Sequence, residues 1–339
     1  NRVAAQNQAS KWGRRSNDKS YGCNPCSEIL LRDKQFCNLT EVVVRADDTY
    51  ETLKRKVELA TILGTIQSTL TDFGFLSEEW IKNTEEERLL GVSLTGIMDN
   101  AIMNGSDMFC SEPFGGQLLE DSLKFLRQCA RETNEKWADM LGIPSSTAIT
   151  CVKPSGTVSQ LVNSASGIHA RHNPYYIRRI KMDKKDPMYQ FLKDKGLDVE
   201  DDVRVPDTTA VFSFPMQAPE GAICRTDRTA IEQLELWLIY QRHWCEHKPS
   251  ITVSVKDEEW PEVGAWVWKH FNEVSGISFL PFSDHTYQQA PYEDITEEQY
   301  RQMMSRDVSE INWLELIEED DNTEGAQTLA CSASGGCEI

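Results

Sequence analysis

The feature that most constrains this chain is an alternation of long apolar-faced segments with short β-branched runs. Leu53, Val57, Ala60, Leu63 (or Gly64) and Gln67, widened by Leu59, Ile62 and Ile66, predict a helix over residues 50–72. Residues 118–140 predict a second helix. Residues 229–246 predict a third, carrying Leu234, Leu236, Trp237, Leu238, Tyr240 and Trp244. Between them lie Val42-Val43-Val44, residues 147–152, Phe212-Ser213-Phe214-Pro215, ITVSV at 251–255 and GISFLPF at 276–282, all strand-like. Gly91 and Gly96 flank a brief apolar run in RLLGVSLTGIMDN, which reads as tight packing or a bend. Helices interleaved with short strands predict an α/β fold without internal repeats.

At 339 residues the chain can make one large domain or two ordinary ones. A formal net charge of −19 argues against a passive basic surface for nucleic acid, leaving room only for a local anion site. No apolar run is long enough to suggest a membrane span. Ten cysteines spread over such a length read mostly as buried thiols of a reducing compartment, which predicts a cytoplasmic protein. The opening stretch, NRVAAQNQASKWGRRSNDKSYG, runs at once into a dense motif, as in a chain that begins mid-way or has been processed.

That motif is CNPCSEILLRDKQFCN, residues 23–38. Structural zinc wants four ligands, commonly in two close pairs, and Cys23 and Cys26 have no second pair nearby. A thioredoxin-like CxxC opens a helix, whereas here Pro25 precedes Cys26 and an apolar run follows Glu28. Taken alone, the motif is compatible with three satisfied core thiols or with a thiol that does chemistry.

Asn24-Pro25-Cys26-Ser27-Glu28, followed by Cys37-Asn38-Leu39, resembles the finger-loop motif of ribonucleotide reductases. The eleven-residue spacing from Cys26 to Cys37 is similar to that of the adenosylcobalamin-dependent class. LLGVSLTGIMD at 89–99, KPSGTVS at 153–159, SGIHARHNPYYIRRI at 166–180 and HKPSITVSV at 247–255 extend the resemblance. SFLPFSDHTYQQAPYEDIT at 278–296 resembles the monomeric type of that class. The likeness covers essentially the whole chain but only the second half of a reductase.

The resemblance implies the second half of a ten-stranded α/β barrel with a central finger loop. It implies a finger-loop region at residues 1–35, a half-barrel at 36–315 and a flexible redox tail at 316–339. It casts Cys26 as the thiyl radical site, Glu28 as acceptor of the 3′-OH proton and Asn24 as a hydrogen-bonding partner of the substrate hydroxyls. Cys37 becomes one of two reducing thiols, with its partner in the missing first half; Cys23 is a bystander. KPSGTVS resembles the family's phosphate loop, placing Ser155, Gly156, Thr157 and Ser159 on the substrate phosphates, with Lys153 setting local charge. Small residues that expose backbone N–H groups suit that task on physical grounds too. Cys331 and Cys337 resemble the C-terminal shuttle reduced by thioredoxin or glutaredoxin. The implied reaction is conversion of ribonucleoside di- or triphosphates to deoxyribonucleotides, started by adenosylcobalamin, with a first-half chain as partner. The same reaction driven by a metal-containing radical subunit, or a non-catalytic half that only binds a partner, would fit the same motifs.

Other eye-catching residues have plainer readings. Tyr175, Tyr176, Tyr287, His169, His172 and His285 read as packing or substrate-side contacts, Met98 and Met216 as packing residues. Trp237 and Trp244 form a helical packing stripe, and Cys110, Cys129, Cys151, Cys224 and Cys245 read as buried thiols.

Overall fold

The computed structural model describes residues 1–106, 117–282, 287–305 and 311–317. Cys110, His285, Cys331 and Cys337 lie outside these residues, as does the acidic tail from residue 318 onward. The chain divides into two compact units, Asn1–Arg171 with Glu220–Ser283, and His172–Pro219 with Asp284–Ile339.

In chain order the first half runs α1 (Arg2–Ser10), β1 (Gly22–Cys23), β2 (Leu30–Leu31), β3 (Asn38–Val43), α2 (Tyr50–Gln67), α3 (Glu78–Glu87), β4 (Leu90–Thr95), α4 (Gln117–Leu141), β5 (Thr150–Cys151) and α5 (Val158–Leu161). There follow β6 (Tyr175–Asp183), α6 (Pro187–Asp194), β7 (Val199–Asp201), β8 (Thr209–Gln217), α7 (Ala230–His243), β9 (Ile251–Val255), α8 (Trp260–Lys269), β10 (Ile277–Pro281), β11 (Tyr292–Asp294) and α9 (Glu297–Met304).

Helix α2 starts where Thr49 and Thr52 bond reciprocally as a capping box. It stops at Gln67, short of the expected residue 72, because the Ser68 and Thr69 hydroxyls donate back to the carbonyls of Thr65 and Ile66 at 2.7 Å each. Its buried face is also rotated from the expected one. Leu53, Val57, Thr61, Gly64 and Thr65 point inward, while Leu59, Leu63 and Ile66 are exposed. The buried threonine hydroxyls donate to carbonyls one turn back, so they cost little to enclose.

In the larger unit, β3, β4 and β5 make a parallel sheet with β4 central and buried on both faces. Strands β9 and β10 pair in parallel over Ile251–Val255 and Ile277–Pro281. Val42, Val57, Leu90, Val92, Leu94, Trp237, Trp244 and Val253 belong to one continuous core. Trp237 and Trp244 both pack and bond: their indole N–H groups donate to Pro249 O at 2.9 Å and Cys151 O at 2.7 Å.

The expected second half of a ten-stranded α/β barrel is corrected by this topology. The fold is α/β, but among the described residues its sheets have two, two, three and four strands, and none closes on itself. Strand β5 is two residues long and meets the start of β9 only through the isolated bridge Val152–Pro249. The next bond of that ladder would run from residue 154 N–H to Ser250 O, and Pro154 has no N–H to give, which is why it stops at a single bridge.

The smaller unit is built on an antiparallel sheet, β11-β6-β8-β7. Strands β6 and β8 pair from Tyr175–Gln217 to Asp183–Thr209. The Phe212–Pro215 strand end was legible; the nine-residue β6 was not, because YYIRRIKMD interrupts alternation with charges.

Gly96 sits at φ +80°, and a Cβ there would stand 2.2 Å from Val44 O, which accepts no displacement without moving β3. We expect Gly96→Ala to destabilise the chain by more than about 2 kcal/mol, combining left-handed strain with a backbone clash. Urea unfolding measures this, with Gly142→Ala as the control: Gly142 has a similar φ of +66° and nothing within 4 Å of its built Cβ.

Candidate active site

The finger loop is the tip of a small antiparallel hairpin, in which Gly22 pairs with Leu31 and Cys23 with Leu30. Asn24 organises that tip. Its backbone N–H donates to Ile29 O at 3.2 Å, its Oδ1 accepts from Ile29 N at 3.0 Å, and its Nδ2 donates to Glu28 Oε1 at 2.8 Å. Ser27 supplies the turn at φ +65°. Cys26 is half-buried at the apex, so one side of the thiol region is reachable from outside. Cys23, Cys26 and Cys37 are all thiols rather than disulfides.

Glu28 is fully buried. Its Oε1 accepts from Asn24 and from Lys153 Nζ at 3.2 Å, whereas Oε2 has no hydrogen-bond partner among the described residues. Burial alone would lower the Lys153 ammonium, but the Glu28 carboxylate and the Cys26 sulfur outweigh it and raise the pKa above its ordinary value. Beneath the loop, Lys248 is also sealed from solvent. Burial pulls its pKa down, opposed by the neighbouring Cys23 and Glu28.

One face of the three-stranded sheet continues the site. Glu41, Ser93 and Cys151 stand in register across β3, β4 and β5. The Ser93 hydroxyl accepts from Lys153 N at 2.8 Å. Burial raises the Glu41 carboxyl, with the Ser155 hydroxyl and Lys153 pulling the other way. Cys37 leans over Gly91, where an added Cβ would lie 3.4 Å from its sulfur and 2.4 Å from Leu39. Burial pushes the Cys37 thiol well up, and Cys151 likewise.

In KPSGTVS, Ser155 adopts φ +55° and Gly156 faces open space. Among the described residues, no hydrogen bond takes the backbone N–H groups of Ser155, Gly156 or Thr157. The helix that follows, α5, is a single turn. Ser159 is fully buried, and its hydroxyl donates to Ser155 O, bracing the loop from within. Gly167, at φ +58°, lets the next segment press on Lys153 O, which a Cβ would approach to 2.4 Å.

The structure therefore brings Asn24, Cys26, Glu28, Lys153 and the 155–157 turn into one neighbourhood of the larger unit. Elsewhere in that unit, His169 is fixed as one tautomer, donating through Nδ1 to Ser166 O and accepting at Nε2 from Thr252 N. In the smaller unit His172 stacks on Tyr292 at 5.2 Å and meets Asp294 at 2.9 Å, and Tyr175 packs on Tyr300 at 5.3 Å. Tyr287 is exposed. Glu41 and Lys248 escaped the sequence reading. Glu41 was detectable only as the charged residue inside a β-branched strand, and Lys248 only as a lysine flanking a proline.

The support for the finger loop comes from His247. Its Nδ1 accepts from Leu30 N at 3.2 Å, so Nε2 carries the proton donated to Leu90 O at 2.9 Å. Burial, together with the Arg15 charge, drives its pKa from 6.5 to about 3. The unfolded chain takes up this proton as pH falls through 6.5, whereas the folded chain refuses it until about 3. Stability from this group is thus complete above 6.5 and lost progressively across that window, by up to about 1.4 kcal/mol per pH unit. His247→Gln should be less stable at pH 8, and the difference from wild type should shrink between pH 6 and 4 in urea titrations.

No family model matches the chain. It is 30% identical to the adenosylcobalamin-dependent ribonucleoside-triphosphate reductase of Euglena gracilis, over 89% of this chain and 41% of that protein. It is 26% identical to the enzyme of the same name from Lactobacillus acidophilus, over 95% of this chain and 46% of that protein. A crystal structure of a B-12-dependent (class II) ribonucleotide reductase superposes with a TM-score of 0.70 at 27% identity, covering 84% of this chain and 42% of that one. The alpha subunit of the Actinobacillus ureae class Id reductase shares the fold, with a TM-score of 0.52 at 14% identity. The chain spans less than half the length of the curated relatives it matches.

Proposed function

We propose that this chain, a family-level match to the adenosylcobalamin-dependent ribonucleotide reductases, carries the radical and phosphate-binding part of an enzyme that reduces ribonucleoside triphosphates to 2′-deoxyribonucleotides. The observation that carries the reading is the hairpin tip itself: a half-buried thiol, Cys26, two residues from a sealed carboxylate whose Oε2 has no hydrogen-bond partner among the described residues. Loss of a ribose 2′-OH from an unactivated carbon needs a radical at C3′, and a sulfur radical can take that hydrogen reversibly.

In this reading Cys26 abstracts the 3′ hydrogen and later returns one, while Glu28 accepts the 3′-OH proton through Oε2. Asn24 holds Glu28 and completes the polar surface toward the ribose. Its amide is already bonded on both ends, so the substrate hydroxyls would share bonds with it. The backbone N–H groups of Ser155, Gly156 and Thr157 receive phosphate oxygens, and Ser159 keeps that turn in shape. Cys37 supplies one of the two electrons' thiols, and Cys331 and Cys337 recharge it from thioredoxin or glutaredoxin. The region corresponding to the remainder of the relatives' length contributes the second thiol.

A cofactor that starts the radical must reach Cys26 without passing Glu28, and the half-exposed apex over a sealed floor fits that requirement. The chemistry adenosylcobalamin supplies when bound is one-electron hydrogen abstraction from the Cys26 thiol. No described helix is long and apolar enough to cross a membrane, and we place the enzyme in the cytoplasm, where its thiols stay reduced.

The test is anaerobic reduction of a ribonucleoside triphosphate by this chain together with the region that completes the relatives' length, with adenosylcobalamin and a dithiol. Product should form only with the cofactor, vanish in Cys26→Ser, and fall about 100-fold or more in Glu28→Gln, the range typical of a lost acid–base group. Turnover in Cys26→Ser, or turnover without cobalamin, would sink the proposal.

A further inference from the structure

The geometry points to Lys153 as a positioning residue that ties occupancy of the 155–157 turn to the alignment of Glu28. This rests on the proposed function, because it concerns how that same site is assembled. The main chain of residue 153 is held on both sides. Its N–H donates to Ser93 Oγ at 2.8 Å on β4, and its carbonyl lies against Gly167, which has no side chain to push it away. The side chain then crosses to the hairpin tip, where Nζ reaches Glu28 Oε1 at 3.2 Å while remaining about a third exposed, at 35%.

The consequence lies in how the two carboxylate oxygens differ. Oε1 is saturated by Asn24 from its own hairpin and by Lys153 from the other loop, so Oε2 is the atom left to face a reacting hydroxyl. A buried carboxylate held by two donors from separate segments has its plane fixed, whereas one held by Asn24 alone can rotate. Residue 153 directly precedes the Pro154-Ser155-Gly156 turn, so an anion that orders the turn also orders the root of this side chain. A lysine in a phosphate-loop motif would ordinarily be read as a phosphate ligand. Here its ammonium is already directed to a carboxylate, and its raised pKa keeps it cationic for that role.

Hydrogen–deuterium exchange of the chain, with and without inorganic tripolyphosphate, tests the link. In wild type the anion should slow exchange at least about fivefold both in residues 153–162 and in residues 26–29. Lys153→Met should keep the first response and lose the second, and Lys153→Arg should restore it. An unchanged finger-loop response in Lys153→Met overturns the inference. So does a wild type in which only residues 153–162 respond, although phosphate binding would then stand; silence in both loops removes both. In the assembled reductase, Lys153→Met should lower kcat about 10- to 100-fold with KM changed less than about threefold, the signature of lost alignment. A raised KM with kcat intact would make Lys153 a phosphate ligand instead. Intact coupling in a chain that never turns over would leave this inference standing and the functional one fallen.

Discussion

A hairpin of two-residue strands cannot hold a carboxylate out of water by itself, and everything in the site depends on how residues 246–250 bond it into the sheet. His247 N donates to Thr150 O at 2.9 Å and Lys248 N to Glu28 O at 3.0 Å. Val152 N reaches Lys248 O at 3.1 Å, and Ser250 N reaches Val152 O at 2.9 Å. The segment is therefore an irregular strand wedged between β5 and the finger loop, its main chain bonded on both sides. Gln8 of α1 closes the remaining side by donating to Cys245 O at 2.8 Å and His247 O at 2.9 Å. Buried backbone tolerates such irregularity only when each group finds a partner.

Around this wedge, buried charges are arranged so that each is shared by several elements. Glu246 is fully buried and receives Arg14 and Arg131 at 2.6 Å, while its second oxygen accepts from Ile149 N at 2.9 Å. Arg15 grips Glu87 through two nitrogens and also donates to Leu30 O at 2.9 Å, pinning β2. Asp99 and Arg171 pair at 2.7 Å, with Asp99 also accepting from Ala165 N. Breaking any one of these by removing a partner costs on the order of 3–5 kcal/mol, although an apolar replacement of the whole pair could be neutral. Their common effect is to fix where loops sit, which a site with two loops converging on one carboxylate needs more than it needs extra stability.

Much of this was readable in the sequence, and the exceptions have physical causes. The finger-loop motif, the two glycines around β4 and the helices α4 and α7 were legible because each is a local pattern. The inward face of α2 was legible only at Leu53, Val57 and Gly64, because Thr61 and Thr65 hide their hydroxyls in bonds that only a helix creates. The roles of Glu41 and Lys248 depend on register and on a wedge between distant segments, which no local pattern reports. Closure of a sheet is equally non-local. Pro154, readable as a loop signal, gains its meaning for the ladder only once β5 and the start of β9 are known to be neighbours. A family resemblance pointed to the motif and overstated the sheet's extent.

The arrangement also shapes how the proposed phosphate loop can work. A chain with net charge −19 repels a triphosphate at long range, and the loop's own lysine faces Glu28. Attraction must then come from short-range donors, the N–H groups of Ser155, Gly156 and Thr157, whose partial charges converge without adding a formal cation. Such a cradle selects by shape, admitting an anion only where its oxygens meet the amides. It also leaves Lys153 set against Glu28, so the phosphate and the carboxylate do not confront each other directly. Had the lysine turned to the phosphate, Glu28 would face the incoming anion as an unbalanced buried charge. On the proposed function, keeping the lysine on the carboxylate is what would let one small site hold a polyanion and a general base together.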